Sequence, residues 1–187
     1  CNRSPWGSVL AWQVTAFMGL QSAIFYILIT WLPSVEQSSG ISAATAGFHQ
    51  LLLNAFGIAG SLSVVVLVPR MRDQRFVAAA STILAALTIV GIMVDPALNA
   101  LWISLGGLGS GASFVLAVSL FELRTVDHAQ TAALSGMAQS IGYLLAAGGP
   151  ILIGVVHDTT GSWAPALFIV LGLLVAQLPA GLLAGRN

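Results

Sequence analysis

Residues 4–35 read SPWGSVLAWQVTAFMGLQSAIFYILITWLPSV, and this stretch of 32 residues between Arg3 and Glu36 contains no charged side chain. About 20 apolar residues in a helix cross a hydrocarbon core about 30 Å thick. Inside that core only an α-helix or a closed β-barrel satisfies all its backbone hydrogen bonds. The stretch is therefore long enough, and uncharged enough, to span a membrane.

Five further uncharged stretches follow at residues 37–69, 76–94, 96–121, 128–157 and 159–185, with histidine counted as neutral. Runs such as SVVVLV at 63–68 and LGLLVA at 171–176 do not alternate between apolar and polar residues, as barrel strands would. We therefore predict six transmembrane helices, approximately at residues 10–32, 43–68, 76–94, 98–121, 131–156 and 164–183.

The composition excludes an ordinary soluble domain. Only 6% of the 187 residues are charged, 57% are hydrophobic, and the mean hydropathy is +0.95. A soluble domain carries about 25% charged residues because its surface faces water. The 20 glycines suit membrane helices that pack closely. The predicted fold class is all-α membrane.

The charges also indicate an orientation. An even number of helices places all six basic residues on the side of both termini: Arg3, Arg70, Arg72, Arg75, Arg124 and Arg186. We call this side the arginine end. The opposite side, the acidic end, holds the loops around Glu36, Asp95 and Asp158. Because positive residues concentrate in cytoplasmic loops, we predict that both termini are cytoplasmic.

Cys1 is the only cysteine, so an intrachain disulfide is excluded. A chain that opens at cysteine has two interpretations. A mature lipoprotein would place this cysteine outside, against the predicted orientation. A chain lacking its first part fits the missing initiating Met and signal sequence better. We expect a fragment of a larger protein cut before a helix that starts in the cytoplasm.

Polar side chains at mid-depth indicate which helices face a cavity, because polar groups in lipid are costly. They fall on the first, second, fourth and fifth helices. The candidate substrate-binding residues are Gln21, Ser22, Phe25, Tyr26, Asn54, Ser113, Phe114, Gln139 and Tyr143. The third and sixth helices carry few polar groups and are predicted to face lipid. This three-helix period predicts two inverted three-helix repeats around a mid-membrane site. Simple hydrogen bonds between packed helices are the alternative.

Titratable groups are scarce inside the spans. His49 is the one histidine well within a span, either as a proton site or as a neutral residue bonded near the membrane surface. Glu122 is predicted to pair with Arg124 or with the arginines at 70–75. Neither a metal site nor a cofactor site is predicted.

Several segments resemble one known family: WQVT at 12–15, GLQS at 19–22, TWLP at 30–33, LGSGASF at 108–114, SGMAQSIGY at 135–143, GGP at 148–150 and HDTTGSW at 157–163. The chain resembles the C-terminal half of a major facilitator superfamily protein of the cyanate and 2-nitroimidazole transporter family. The likeness covers nearly the whole chain, and its most specific part is the fifth helix with the following loop.

The resemblance implies a twelve-helix secondary transporter of small polar or anionic solutes, working by alternating access in a bacterial inner membrane. The implied partners are the lipid bilayer, a missing N-terminal half, the solute and protons. Neither an enzyme nor a nucleic-acid-binding protein is implied.

Two regions are candidates for gating. The superfamily's basic loop motif is present as PRMRDQR at 69–75 without its usual glycine. Arg70 and Arg72 can therefore be gating residues or plain markers of a cytoplasmic loop. Gly148 and Pro150 interrupt regular helix hydrogen bonding, so they are candidates for a hinge or a static kink.

Two other classes of membrane protein fit the sequence less well. An intramembrane serine hydrolase could use Ser113 as nucleophile, but it needs a histidine base at the same depth. By the predicted spans, His49, His128 and His157 all lie elsewhere. A channel half would need a re-entrant filter loop or a ring of charge, and the sequence indicates neither.

Overall fold

The computed structural model describes residues 4–186, which form six long α-helices and no β-strand. The helices are α1 (Val9–Ser38), α2 (Ala43–Leu67), α3 (Arg75–Val94), α4 (Asn99–Leu123), α5 (His128–Thr160) and α6 (Ala164–Ala184). Short 3-10 helices lie at Pro5–Gly7, Val68–Arg70 and Pro96–Leu98. Each long helix, by length and composition, can cross a membrane. The prediction of an all-α, six-helix membrane fold is confirmed. Cys1 and Arg3 lie outside the described residues.

The first helix is longer than predicted because it continues past a proline. Pro33 has no N–H, so it leaves the carbonyl oxygen of Ile29 without its helical partner. The Nε2 of Gln50 in α2 donates to that oxygen at 3.1 Å. Because this carbonyl oxygen has a donor, α1 continues to Ser38, and Glu36 is buried in the protein interior. The prediction that Glu36 lies in a loop is therefore wrong.

The packing repeats after three helices. α1 packs against α5, and α2 packs against α4; α3 packs against α4, and α1 packs against α6. If α1, α2 and α3 are exchanged with α4, α5 and α6, the α1–α5 contact becomes α4–α2. In the same way, the α3–α4 contact becomes α6–α1. The helices thus form two equivalent three-helix units, as in half of a major facilitator fold.

Close backbone contacts hold α2 against α4. A Cβ atom on Gly111 would lie 1.9 Å from the carbonyl oxygen of Gly57, and one on Gly60 would lie 2.2 Å from that of Leu108. Between α1 and α5, a Cβ on Gly142 would lie 3.3 Å from the backbone of Gly19. Small residues let membrane helices approach in this way.

The outer surface of the bundle is apolar. Val9, Leu144 and Val175 are each more than 70% exposed, on three different helices. Such a surface matches lipid rather than water. The prediction that the sixth helix faces lipid holds for only part of α6: Gln177 is buried, and its Nε2 donates to Thr82 Oγ1 at 3.0 Å. α6 therefore has an interior face as well as an outward one.

Candidate functional site

A cleft of about 450 Å³ opens between α1, α2, α4 and α5. It lies on the helices that the mid-depth polar residues indicated. Its lining comprises Gln21, Ser22, Phe25 and Tyr26 of α1, Leu53, Asn54, Gly57, Ile58, Ser61 and Leu62 of α2, Ser110, Gly111 and Phe114 of α4, and Tyr143 of α5. Small-molecule sites commonly fall between about 300 and 1,000 Å³.

The cleft has this shape because α2 and α4 meet backbone to backbone at its base. Gly57 and Gly111 both line it, and neither has a side chain to fill the space. Ser61 Oγ donates to the carbonyl oxygen of Gly111 at 3.2 Å, which adds a polar tie between the two helices. The cleft floor is therefore rigid backbone.

Amide and hydroxyl groups supply the polar part of the wall. The Nε2 of Gln21 donates to Ser22 Oγ at 2.8 Å, so these two neighbours form one unit. Asn54 is exposed, and its Nδ2 donates to the carbonyl oxygen of Gln50 at 2.8 Å. One N–H of Asn54 is thereby satisfied, which leaves its second N–H and its side-chain oxygen for a solute.

Aromatic rings form the open side of the cleft. Tyr26, Tyr143 and Phe114 are each about 40% exposed, although they lie at mid-helix. Phe25 contacts Tyr26 edge to face, with ring centroids 5.9 Å apart. Both tyrosines also border a smaller cavity that reaches Pro150. The rings offer flat apolar surface, and the two phenol hydroxyls can donate or accept.

No side chain that lines the cleft is formally charged. Nor do the described residues hold a group of three or more His, Cys, Asp or Glu able to bind a metal. The chemistry available at this face is hydrogen bonding and stacking.

Two predicted site residues do not line the cleft. Ser113 is buried inside the bundle, where Gln177 Nε2 lies 3.4 Å from its Oγ. Gln139 is half-buried and donates to Ser135 Oγ at 2.6 Å, one turn back along α5. Ser113 is thus bonded inside the bundle and Gln139 within its own helix, and neither borders the cleft.

Ser61 lines the cleft but was missed by the sequence analysis. It follows Asn54 by seven residues, which is two helical turns and so the same helix face. The same spacing, applied along the second helix from Asn54, could have identified it. Serine hydroxyls are common between membrane helices, so the residue type alone gave no signal.

The histidines do not provide a base for Ser113. His49 bonds to Glu36, with 2.5 Å between Nδ1 and Oε1. His128 begins α5 at the arginine end, and His157 stacks on Trp163 with ring centroids 3.8 Å apart. In the described part of the chain, Ser113 therefore has an amide neighbour and no imidazole.

The candidate gating residues lie away from the cleft floor. Arg70 ends a 3-10 helix, and its Nη1 donates to the carbonyl oxygen of Val66 at 2.5 Å. α5 continues through Gly148 and Pro150 without interruption. The indole of Trp31 donates to the carbonyl oxygen of Pro150 at 2.8 Å, which ties α1 to α5 at this point.

At the arginine end, one arginine joins three helices. Arg124 follows α4, and it donates from Nε to the carbonyl oxygen of Ala184 at 2.9 Å and from Nη2 to Gln74 Oε1 at 2.8 Å. Burial lowers the pKa of its guanidinium, while the charge of Asp73 acts in the opposite direction. Arginine stays charged despite such a shift. The predicted ion pair with Glu122 is absent from the described residues.

Comparison with known proteins finds transporters. The chain is 43% identical over 186 residues to the 2-nitroimidazole transporter of Escherichia coli (strain K12), a match that covers 100% of this chain and 47% of that protein. It is 40% identical over 188 residues to an uncharacterised transporter of Bacillus subtilis (strain 168), again over 100% of this chain and 47% of the relative. The identity to the cyanate transport protein of E. coli is 29% over 173 residues, covering 90% of this chain and 45% of that protein. No protein-family model matches the chain.

The helices and the relatives together define a class: a multi-pass membrane protein whose six-helix bundle fits half of a major facilitator transporter. The chain spans about half the length of the curated relatives it matches. Within that class, the resemblance to the cyanate and 2-nitroimidazole transporters is confirmed. Because the relatives are named as transporters, they favour a non-enzymatic protein over a serine hydrolase.

Proposed function

We propose that this chain is the second half of a secondary transporter of small polar or anionic solutes, completed by an N-terminal six-helix half. The observation that supports this most is the open cleft between α1, α2, α4 and α5. Its wall combines exposed tyrosines with an exposed asparagine at mid-helix, where a lipid-facing surface would be apolar. A second six-helix half placed over this face would enclose the site.

Transport then proceeds by alternating access, in which the two halves rock around a central site. Tyr26, Asn54 and Tyr143 would donate hydrogen bonds to the solute. Phe25 and Phe114 would close over its apolar face. Because the cleft carries no charge, the cation that balances an anionic solute must come from the other half.

The remaining predicted residues have supporting roles in this proposal. Gly148 and Pro150 are proposed bending points in α5, and Arg70 and Arg72 are proposed to control closure at the arginine end. Ser113 and Gln139 would act from behind the wall rather than touch the solute. We place the protein in a bacterial inner membrane with both termini cytoplasmic, as the arginine distribution predicts.

Uptake by the complete protein in proteoliposomes tests the function. Radiolabelled 2-nitroimidazole and cyanate are the first solutes, because relatives are named for them. Asn54→Ala and Tyr143→Phe each remove one hydrogen bond to the solute, so uptake should fall about three- to tenfold. Ser63→Ala is the matched control, since that exposed serine of α2 bonds to its own helix and lies outside the cleft.

Equal uptake by Asn54→Ala, Tyr143→Phe and Ser63→Ala, at equal protein levels, would remove the cleft as the solute site. Orientation is tested separately in intact cells, in a background where serine replaces every cysteine of the complete protein, Cys1 included. A cysteine at Asp158 should react with a membrane-impermeant maleimide from outside, whereas one at Arg72 should react only after lysis. The reverse labelling would overturn the orientation.

A further inference from the structure

A second polar cluster lies outside the cleft, at the acidic end of the bundle. Oε1 of Glu36, in α1, is hydrogen-bonded to side chains of two other helices. His49 Nδ1 of α2 lies 2.5 Å away, and Asn99 Nδ2, on the first residue of α4, lies 3.0 Å away. All three side chains are buried, and Glu36 is only 1% exposed.

Among the described residues, few charged groups lie near enough to balance a negative charge on Glu36. The five described arginines all lie at the arginine end: Arg70, Arg72, Arg75, Arg124 and Arg186. The remaining titratable groups at the acidic end are Asp95, in the turn before α4, and His157 and Asp158, at the end of α5. Asp95 accepts from the N–H of Ala97. Within residues 4–186, His49 is thus the one group in contact with the Glu36 carboxylate that can neutralise it.

Two acceptor atoms of the cluster lack a hydrogen-bond donor. Glu36 Oε2 and Asn99 Oδ1 are both buried, and neither has a partner among the described residues. A buried, unsatisfied acceptor is costly, and a carboxylate oxygen is the costlier kind. A proton added to the carboxyl group would convert Oε2 from an acceptor into a donor and remove the negative charge. One added proton would therefore remove both the negative charge of Glu36 and the unsatisfied acceptor at its Oε2.

We propose that Glu36, His49 and Asn99 form a proton-binding site that ties the end of α1 to the starts of α2 and α4. Taking up one proton from solution neutralises the Glu36–His49 pair, and releasing it restores one negative charge. These three helices also line the cleft, so protonation changes the bond that holds them together beside the solute site. The link to transport rests on the proposed function, whereas the proton site itself does not.

The sequence simplifies a direct test, because residues 1–187 contain only two glutamates, Glu36 and Glu122. In the Glu122→Gln variant of the complete protein, carbon-13 labelling of glutamate gives side-chain carboxyl signals, and the one that a further Glu36→Gln substitution removes belongs to Glu36. Glu122 is exposed at the arginine end, so its replacement should leave the fold intact. With the protein in lipid nanodiscs, NMR should show this signal titrating with pH.

His49→Gln in the same background removes the group that balances the carboxylate, so the midpoint at which the Glu36 signal changes with pH should shift. His128→Gln, at an exposed position of the arginine end, should leave the midpoint in place. A Glu36 signal that stays constant between about pH 5 and 8, where histidines change charge, would overturn the proposal. So would equal midpoints in the His49→Gln and His128→Gln variants.

Proteoliposome uptake tests the link to transport. Glu36→Gln should flatten the pH dependence of uptake, while Asp158→Asn, which removes an exposed carboxylate at the same end, should preserve it. A titrating Glu36 in a protein that takes up no solute would refute the proposed function and leave the proton site standing. Normal uptake with an invariant Glu36 signal would refute the proton site alone.

Discussion

The α2–α4 and α1–α5 pairs are equivalent under exchange of the two three-helix units, yet they pack differently. In α2–α4, the nearest atoms to an added Cβ at Gly60 or Gly111 are carbonyl groups of the other helix, closer than 2.3 Å. In α1–α5, the closest approach at Gly19 is 3.0 Å, to the side chain of Leu145. Side chains can rotate away and backbone cannot. The first pair is therefore a fixed contact, and the second can adjust.

The largest expected effect comes from Gly111→Ala. The new Cβ would lie 1.9 Å from the carbonyl oxygen of Gly57, so α4 must move away from α2. Overpacking of this kind destabilises by about 1–3 kcal/mol, and loss of the Ser61–Gly111 hydrogen bond adds to it. We expect a lower midpoint of thermal unfolding in detergent and a lower protein yield.

Gly47→Ala is the matched control for this substitution. Gly47 lies in α2, the helix that α4 contacts at Gly111, and a Cβ there meets nothing within 4 Å. The control should be neutral or slightly stabilising, because alanine favours a helix by about 1 kcal/mol over glycine. If Gly111→Ala unfolded at the same temperature as the control, the fixed contact between α2 and α4 would be refuted.

A smaller loss is expected from Trp31→Phe, which removes a tie between α1 and α5. The Trp31 indole donates to the carbonyl oxygen of Pro150, so phenylalanine forfeits one hydrogen bond and part of the ring packing against Trp163. We expect about 1–2 kcal/mol less unfolding free energy. Trp12→Phe is the control, since that exposed indole bonds only to nearby Trp6. Equal losses in both variants would contradict the predicted tie.

The sequence predicted the features that depend on a single helix and missed those that depend on contacts between helices. Six helices follow from uncharged length alone, and the cleft-lining helices follow from their polar residues at mid-depth. The Glu36–His49 bond joins two helices across a turn, and the predicted first span ended at residue 32, before Glu36. The hydrogen bond from Gln50 to the Ile29 carbonyl oxygen lets α1 continue past Pro33. It is a contact between helices, so only the structure shows it.

The same limit explains Gln177. α6 is apolar around nearly its whole circumference, so its sequence does not distinguish an inward from an outward face. Ser113 was assigned to the cleft because it is polar and lies at mid-depth, but only its neighbour Phe114 lines the cleft. Which way each side chain points depends on the neighbouring helices.

Gly142→Ala tests the adjustable pair and should cost less than either change above. Its Cβ would lie 3.3 Å from Gly19 backbone atoms and 3.4 Å from the Met18 side chain, so a shift of a few tenths of an ångström suffices. The helix preference of alanine offsets much of that strain. We expect a change in unfolding free energy below about 1 kcal/mol. A loss equal to that of Gly111→Ala would show that both pairs are equally fixed.

The smallest structural effect is expected from Gly148→Ala, and it also tests the hinge in α5. Gly148 is exposed, and a Cβ there meets nothing within 4 Å. Alanine should therefore stabilise the helix by up to about 1 kcal/mol in the isolated bundle. If α5 bends at this position during transport, the same substitution should slow uptake in the complete protein while raising its unfolding midpoint. Gly136→Ala, at another open position of α5, should raise the midpoint without slowing uptake. Equal transport rates in both variants would show that Gly148 is not a hinge. Any movement between α1 and α5 would then have to occur at the Gly19–Gly142 contact.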